Sequence, residues 1–141
     1  SDYSFVRKWD SRFIKQFDRW QRIVQQASQQ TGRGDLVEVK HPISIDLLLQ
    51  EFQKREKAAG IFPFEGEAPQ HARQALSQLV KHDLNEVWVF VGSEGGYSSR
   101  EVKLFADYGL NAMTLGPQVL KVETACLVLV SILKYEMNLW K

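Results

Sequence analysis

The run Glu86-Val87-Trp88-Val89-Phe90-Val91 passes directly into Gly92-Ser93-Glu94-Gly95-Gly96, and Ser98 and Glu101 follow. The first segment is β-branched and aromatic and apolar on both faces, so it predicts a strand in a sheet covered on both sides. The glycines permit positive φ and close approach of backbone to a ligand. Ser98-x-x-Glu101 is the capping box of a helix that Gly109 ends. Strand, glycine turn and capped helix make one βα unit, and similar signals extend from it in both directions. Leu110–Leu115 predicts a strand, Gly116-Pro117 a turn, and Val122 to about Leu139 a helix apolar almost all round. Upstream, Ile61–Glu65 predicts a strand with Pro63 suited to its end or an edge. Pro69 opens a helix running to about His82. Ser44 caps a helix running through Ala59, with Gly60 as its stop, and Leu36–Lys40 predicts a short strand broken by His41-Pro42. Asp10 and Ser11 start a helix of about five turns, with Phe13, Phe17, Trp20, Val24 and Ala27 on one stripe and Gly32 as its stop. The alternation predicts an α/β domain with a mainly parallel sheet and helices on both faces.

Composition narrows the classes of function. The 141 residues suit one domain, and 44% hydrophobic with 25% charged residues excludes disorder and fibrous repeats. The longest purely apolar run, Ala125–Val130, is far short of the roughly 20 residues that a membrane span needs. The single cysteine, Cys126, excludes a disulfide framework and a Cys-based zinc site. It also fits a reduced, cytosolic setting, as does the polar start without a leader pattern. In its apolar surroundings Cys126 is expected to be buried. His41, His71 and His82 share no metal-ligand spacing and read as surface or boundary residues. Net charge is +1, yet residues 1–33 carry seven Lys and Arg against three Asp. That basic head fits either an anionic partner or a solvated helix face.

Ligands of open parallel sheets sit beyond the carboxyl ends of the strands. Two such ends bear glycine here, Gly92–Gly96 and Leu115-Gly116-Pro117-Gln118-Val119-Leu120-Lys121-Val122-Glu123-Thr124. The first is neither a Walker loop nor a dinucleotide fingerprint. Taken together, GSEGGYSSREV and LGPQVLKVETA closely resemble the catalytic domain of RsmE-type methyltransferases, members of the SPOUT superfamily. The pattern resembled is GPEGG(F/Y)S followed by LG-x-R-I-L-R-x-ETA. Ser4-Phe5-Val6, Trp9-Asp10, Arg19-Trp20 and Gln29–Arg33 are similar to further landmarks, so the resemblance covers nearly the whole chain.

This resemblance implies a deep trefoil knot and a transferase that uses S-adenosyl-L-methionine to methylate uridine N3 in small-subunit ribosomal RNA. It implies that the cofactor lies bent among Pro63, Phe64 and Glu65, then Val91, Gly92, Glu94, Gly95 and Gly96, and finally Leu115, Gly116, Pro117, Val119 and Leu120. It implies a homodimer through the last helix, whose all-round apolar character equally suits an ordinary core helix. The substrate is then ribosomal RNA or the assembled 30S subunit, with no membrane partner.

N3 of a uridine must lose its proton before it can attack a methyl group, and a nearby cation stabilises the anion. Lys121 is the candidate for that catalytic role, or for holding a phosphate. Glu123 either orients Lys121 or a backbone amide, or simply caps the last helix. Glu94 either points into the cofactor loop or holds it through backbone amides. Arg33, Gln118 and Lys121 are the candidate RNA contacts, and no metal is expected.

Three departures from the pattern matter. Ser93 stands in place of proline, and Gln118 and Lys121 stand in place of arginines, which weakens planar bidentate grip on phosphate or base. The family's N-terminal RNA-binding β-barrel and the first strand and helix of its knotted domain have no counterpart here. Two further readings therefore stand beside the enzyme. One is a non-catalytic cofactor-binding or dimerisation fragment, and the other a different nucleotide-binding α/β enzyme using the glycine loop.

Overall fold

The computed structural model describes residues 11–30, 37–66, 70–117 and 120–138. They fall into two compact units, residues 11–44 and residues 45–138. The first contains α1 (Ser11–Gln30), a helix of 20 residues as the stripe predicts. In the same unit the Phe17 ring is buried and stacks on the His41 imidazole, with 4.2 Å between centroids. Residues 37–40 form no strand, contrary to the expectation for Leu36–Lys40, and Leu36 itself lies outside the described residues. Alternation alone does not make a strand: Val37 remains half exposed, and no ladder partner is present among the described residues.

The second unit runs α2 (Ile45–Gln53), β1 (Ala58–Pro63), α3 (Ala72–Val80), β2 (Glu86–Val89), α4 (Ser99–Asp107), β3 (Asn111–Met113) and α5 (Val122–Glu136). The three strands are parallel in the order β2-β1-β3. Ile61 and Phe62, adjacent on β1, point to opposite faces. Ile61 packs with Leu76 and Leu79 of α3, Met113, and Leu129 and Leu133 of α5. Phe62 packs with Leu49 and Phe52 of α2, Phe90, Phe105 of α4 and Leu110. Helices therefore cover both faces of the sheet, as the alternation predicts.

The structure corrects several boundaries. The helix expected to reach Ala59 stops at Gln53, and Ala58-Ala59-Gly60 open the central strand. Gly60 is no helix stop. A Cβ there would lie 2.8 Å from the buried Leu110 side chain, so the glycine serves close packing across the sheet. The same strand ends at Pro63 and leaves Glu65 outside it. The helix expected from Pro69 begins at Ala72, with Pro69 outside the described residues. The strand expected over Glu86–Val91 ends at Val89; it lies at the edge of the sheet, with Val87 and Val89 packed on one face and Trp88 on the other, as the run predicts.

The last helix, α5, ends at Glu136, and among the described residues its buried side chains, Ala125, Leu129 and Leu133, share one face. Leu127 and Val130 are 71% and 52% exposed. Cys126 is exposed, contrary to its expected burial, because it stands beside the buried face of α5 rather than in it. All three histidines are exposed. No helix among the described residues is long and apolar enough to cross a membrane.

Candidate functional site

Because the strands are parallel, their carboxyl ends open on one edge of the sheet. Two backbone hydrogen bonds carry the pairing beyond the strands: Phe64 N–H donates to the Met113 carbonyl at 2.9 Å, and Phe90 N–H to the Ile61 carbonyl at 3.0 Å. The three exits therefore leave side by side, and between them lies a cavity of about 660 Å³. That is the size of a cleft for a nucleoside-sized ligand.

The β2 exit forms the second wall. Gly96 N–H donates to the Ser93 carbonyl at 2.8 Å, closing a tight turn with Gly96 at φ 73°. The turn delivers the chain to Ser98, where both halves of the expected capping box are present and α4 begins. No hydrogen bond among the described residues uses the backbone amides of Gly92, Gly95 or Leu115. Such groups are available to the polar edges of a ligand.

Glu65, Glu94, Glu123 and Lys121 also line the cavity, and all four are exposed. Lys121 occupies the N-cap position of α5 in extended geometry, and its carbonyl accepts from Ala125 N–H at 2.8 Å. Glu123 sits in the first turn of α5, where its charge favours the helix dipole. Three carboxylates against one ammonium make the lining suited to a cationic ligand. No group of three or more His, Cys, Asp or Glu among the described residues is placed to hold a metal ion.

Residues 1–134 match the family model described as the RNA methyltransferase domain. The chain belongs to this family. It is 30% identical over 133 residues to the ribosomal RNA small subunit methyltransferase E of Aquifex aeolicus, covering 94% of this chain and 53% of that protein. The enzyme of the same name from Bacillus subtilis is 28% identical over 138 residues, 96% of this chain and 53% of its own length. Among solved structures, ribosomal RNA small subunit methyltransferase E from Neisseria gonorrhoeae, bound to S-adenosyl methionine, superposes with a TM-score of 0.72 at 25% identity, covering 92% of this chain and 52% of that one. The chain thus spans about half the length of the curated relatives it matches.

In this family member the cavity gathers most of the residues singled out from sequence. Pro63, Phe64 and Glu65 line it, as do Val91, Gly92, Glu94, Gly95 and Gly96, and then Leu115, Gly116, Leu120, Lys121 and Glu123. Pro117 stands beside them without lining the cavity. Val119, Gln118 and Arg33 lie outside the described residues.

Sequence reasoning missed Tyr97, Thr114, Val122 and Ala125 as lining residues. Val122 and Ala125 could have been found from their three-residue spacing on α5. Tyr97 could have been found from its place next to the glycines. Its ring meets Phe62 and Phe105 edge-on, at 5.8 and 5.0 Å between centroids. Its hydroxyl is buried without a hydrogen-bond partner among the described residues. Burial above all, then the Glu101 carboxyl and then Cys126, raises its pKa well beyond the ordinary tyrosine value.

Proposed function

We propose that this chain binds S-adenosyl-L-methionine in the cavity at the strand ends and methylates N3 of a uridine in small-subunit ribosomal RNA. The observation that carries this reading is the meeting of Gly92–Gly96 with Leu115, Gly116, Leu120 and Lys121, two parts of the chain far apart in sequence, around one hollow. The residues present fit the cofactor: unpaired backbone amides suit its polar edges, and the carboxylates of Glu65, Glu94 and Glu123 suit its positive charges. Bound S-adenosylmethionine supplies an electrophilic methyl group.

The chain's own residues do the rest. Gly92, Gly95 and Gly96 bring backbone against the ligand without side-chain bulk. Lys121 stabilises the uracil anion formed as N3 gives its proton to solvent water, and Glu123 keeps the ammonium oriented. Holding base and methyl donor together supplies much of the acceleration through proximity. In this reading the segment before α5 threads the core as a trefoil knot. A second copy docks on the apolar outer face of α5 through Leu127 and Val130, completing a homodimer that acts in the cytoplasm. Arg33 and Gln118 contact RNA.

Glutamine at 118 and lysine at 121 favour a second reading, cofactor binding and dimerisation without methyl transfer. Calorimetry with S-adenosylmethionine, followed by transfer of labelled methyl to undermethylated 30S subunits, decides between them. Binding with labelled N3-methyluridine supports the enzyme, and binding without label supports the second reading. No binding at millimolar cofactor rejects both.

A further inference from the structure

Three stretches of chain meet at Thr114, the residue that follows β3. Its amide donates to the Gln70 carbonyl at 3.1 Å, and its carbonyl accepts from the Ala72 amide at 3.0 Å. This makes a parallel bridge opposite His71 and ties the end of β3 to the start of α3. The Thr114 hydroxyl serves a different stretch. Oγ1 accepts from the Gly116 amide and donates to the Gly116 carbonyl, each at 3.2 Å. A hydroxyl has the donor and the lone pairs to do both at once.

Gly116 has φ 116°, a conformation that side-chain-bearing residues rarely adopt. Among the described residues nothing lies within 4 Å of the place where its Cβ would be, so no described neighbour packs there. The two hydrogen bonds from Thr114 are the contacts the described residues give its backbone. Between the two residues stands Leu115, with backbone amide and carbonyl unpaired among the described residues. All three line the cavity. Preorganised polar groups gain affinity because binding does not have to order them.

We infer that Thr114 is a positioning residue: its hydroxyl, by clamping both polar groups of Gly116, holds the Leu115 backbone ready for a polar edge of the ligand. The inference rests on reading the cavity as the S-adenosylmethionine site. It assigns the work to a side chain that acts through the backbone of its neighbours, and Thr114 touches no reacting atom.

Two substitutions separate this role from general support of the fold. Thr114→Val keeps the branched shape and removes the hydroxyl, while Thr114→Ser keeps the hydroxyl. In T114V the Gly116 amide should exchange with deuterium about fivefold faster, as expected for loss of a net stabilisation near 1 kcal/mol. Its dissociation constant for S-adenosylmethionine should rise about five- to thirtyfold by calorimetry, from loss of one or two such hydrogen bonds. KM for the cofactor should rise in step, and kcat at saturating cofactor should be unchanged. T114S should stay within about twofold of wild type in all of these. Wild-type binding with unchanged affinity in T114V overturns the inference alone, as does a T114S variant as weak as T114V. Wild-type protein that binds no S-adenosylmethionine overturns the reading of the cavity, and the inference with it.

Discussion

The Ser98 hydroxyl accepts from the Glu101 amide at 3.2 Å, while the Glu101 carboxylate accepts from the Ser98 amide at 2.9 Å. This reciprocal pair fixes the first turn of α4 two residues after Gly96, so it also fixes the far end of the glycine loop. Glu101 is fully buried, so the carboxylate depends on such partners. Ser98→Ala should lower stability by about 1 kcal/mol in urea unfolding. Glu101→Ala should lower it by about 2 kcal/mol, because it also removes the carboxylate that the partly buried Ser98 amide donates to. Glu101→Gln, which still accepts, should lie between wild type and alanine. Equal stability of E101A and wild type would show that the pair does not hold the turn.

That pair was legible in the sequence because its chemistry is local. Four consecutive residues carry the whole signal, and the same holds for the Gly92–Gly96 turn. Gly60 was misread because a glycine after a helical pattern looks the same whether it ends a helix or admits a neighbour. Contact with Leu110, fifty positions away, decides the matter. Cys126 was misread for a related reason: the apolar run around it cannot say which side of α5 the rest of the chain covers. At the site, expectations drawn from the two glycine-bearing ends share one cavity. Thr114 was invisible because its importance comes from hydrogen bonds to residues on two sides of it, 70–72 and 116, and no motif marks it.

Tyr97 makes stability depend on alkaline pH. Its phenol is held neutral in the folded chain, whereas in the unfolded chain it loses its proton near the ordinary value of 10.0. Above about pH 10 the unfolded state therefore binds fewer protons than the folded state, and stability falls as pH rises, by up to about 1.4 kcal/mol per pH unit. Below about pH 9 this residue adds no slope. Tyr97→Phe should remove the extra alkaline slope, read as the difference between variant and wild type in urea unfolding from pH 8 to 11. Lysines titrate in the same range, but they are common to both proteins and cancel in that difference. At neutral pH, Y97F should be at least as stable as wild type, with a gain of about 1 kcal/mol, because the lost hydroxyl is buried without a partner. Parallel curves for the two proteins up to pH 11 would contradict the assignment.

Two glycines should fail for different reasons when replaced by alanine. In Gly60→Ala the new methyl meets Leu110 and Phe52 in the core, and overpacking should lower stability by about 1–3 kcal/mol. A smaller side chain at 110 should recover part of it, so Gly60→Ala with Leu110→Val should be more stable than G60A alone. In Gly116→Ala the methyl meets nothing among the described residues, and the strain lies in the backbone at φ 116°. That should cost about 1–3 kcal/mol locally and no neighbouring substitution should relieve it. Thermal unfolding of the four variants (G60A, G60A/L110V, L110V and G116A) tests the distinction, and an unrelieved G60A would contradict it.

The outer face of α5 sets the oligomeric state in the proposed dimer. Leu127 and Val130, one turn apart, are mostly or half exposed, and Tyr135 is 78% exposed. Burying a large aliphatic side chain completely contributes about 1.5–3 kcal/mol, less for residues already partly covered. A Leu127 and a Val130 from each of two copies therefore supply several kcal/mol, comparable to the lower range of the association cost of about 4–15 kcal/mol. An interface so close to balance should not survive a buried charge. Wild-type protein is expected to sediment as a dimer at tens of micromolar, and Leu127→Glu as a monomer with unchanged far-ultraviolet circular dichroism. The folded monomer is the informative outcome, because it separates loss of contact from loss of structure. A wild-type chain that sediments as a monomer at every concentration would remove the dimer from the reading, while leaving the cavity and its ligand to be judged on binding alone.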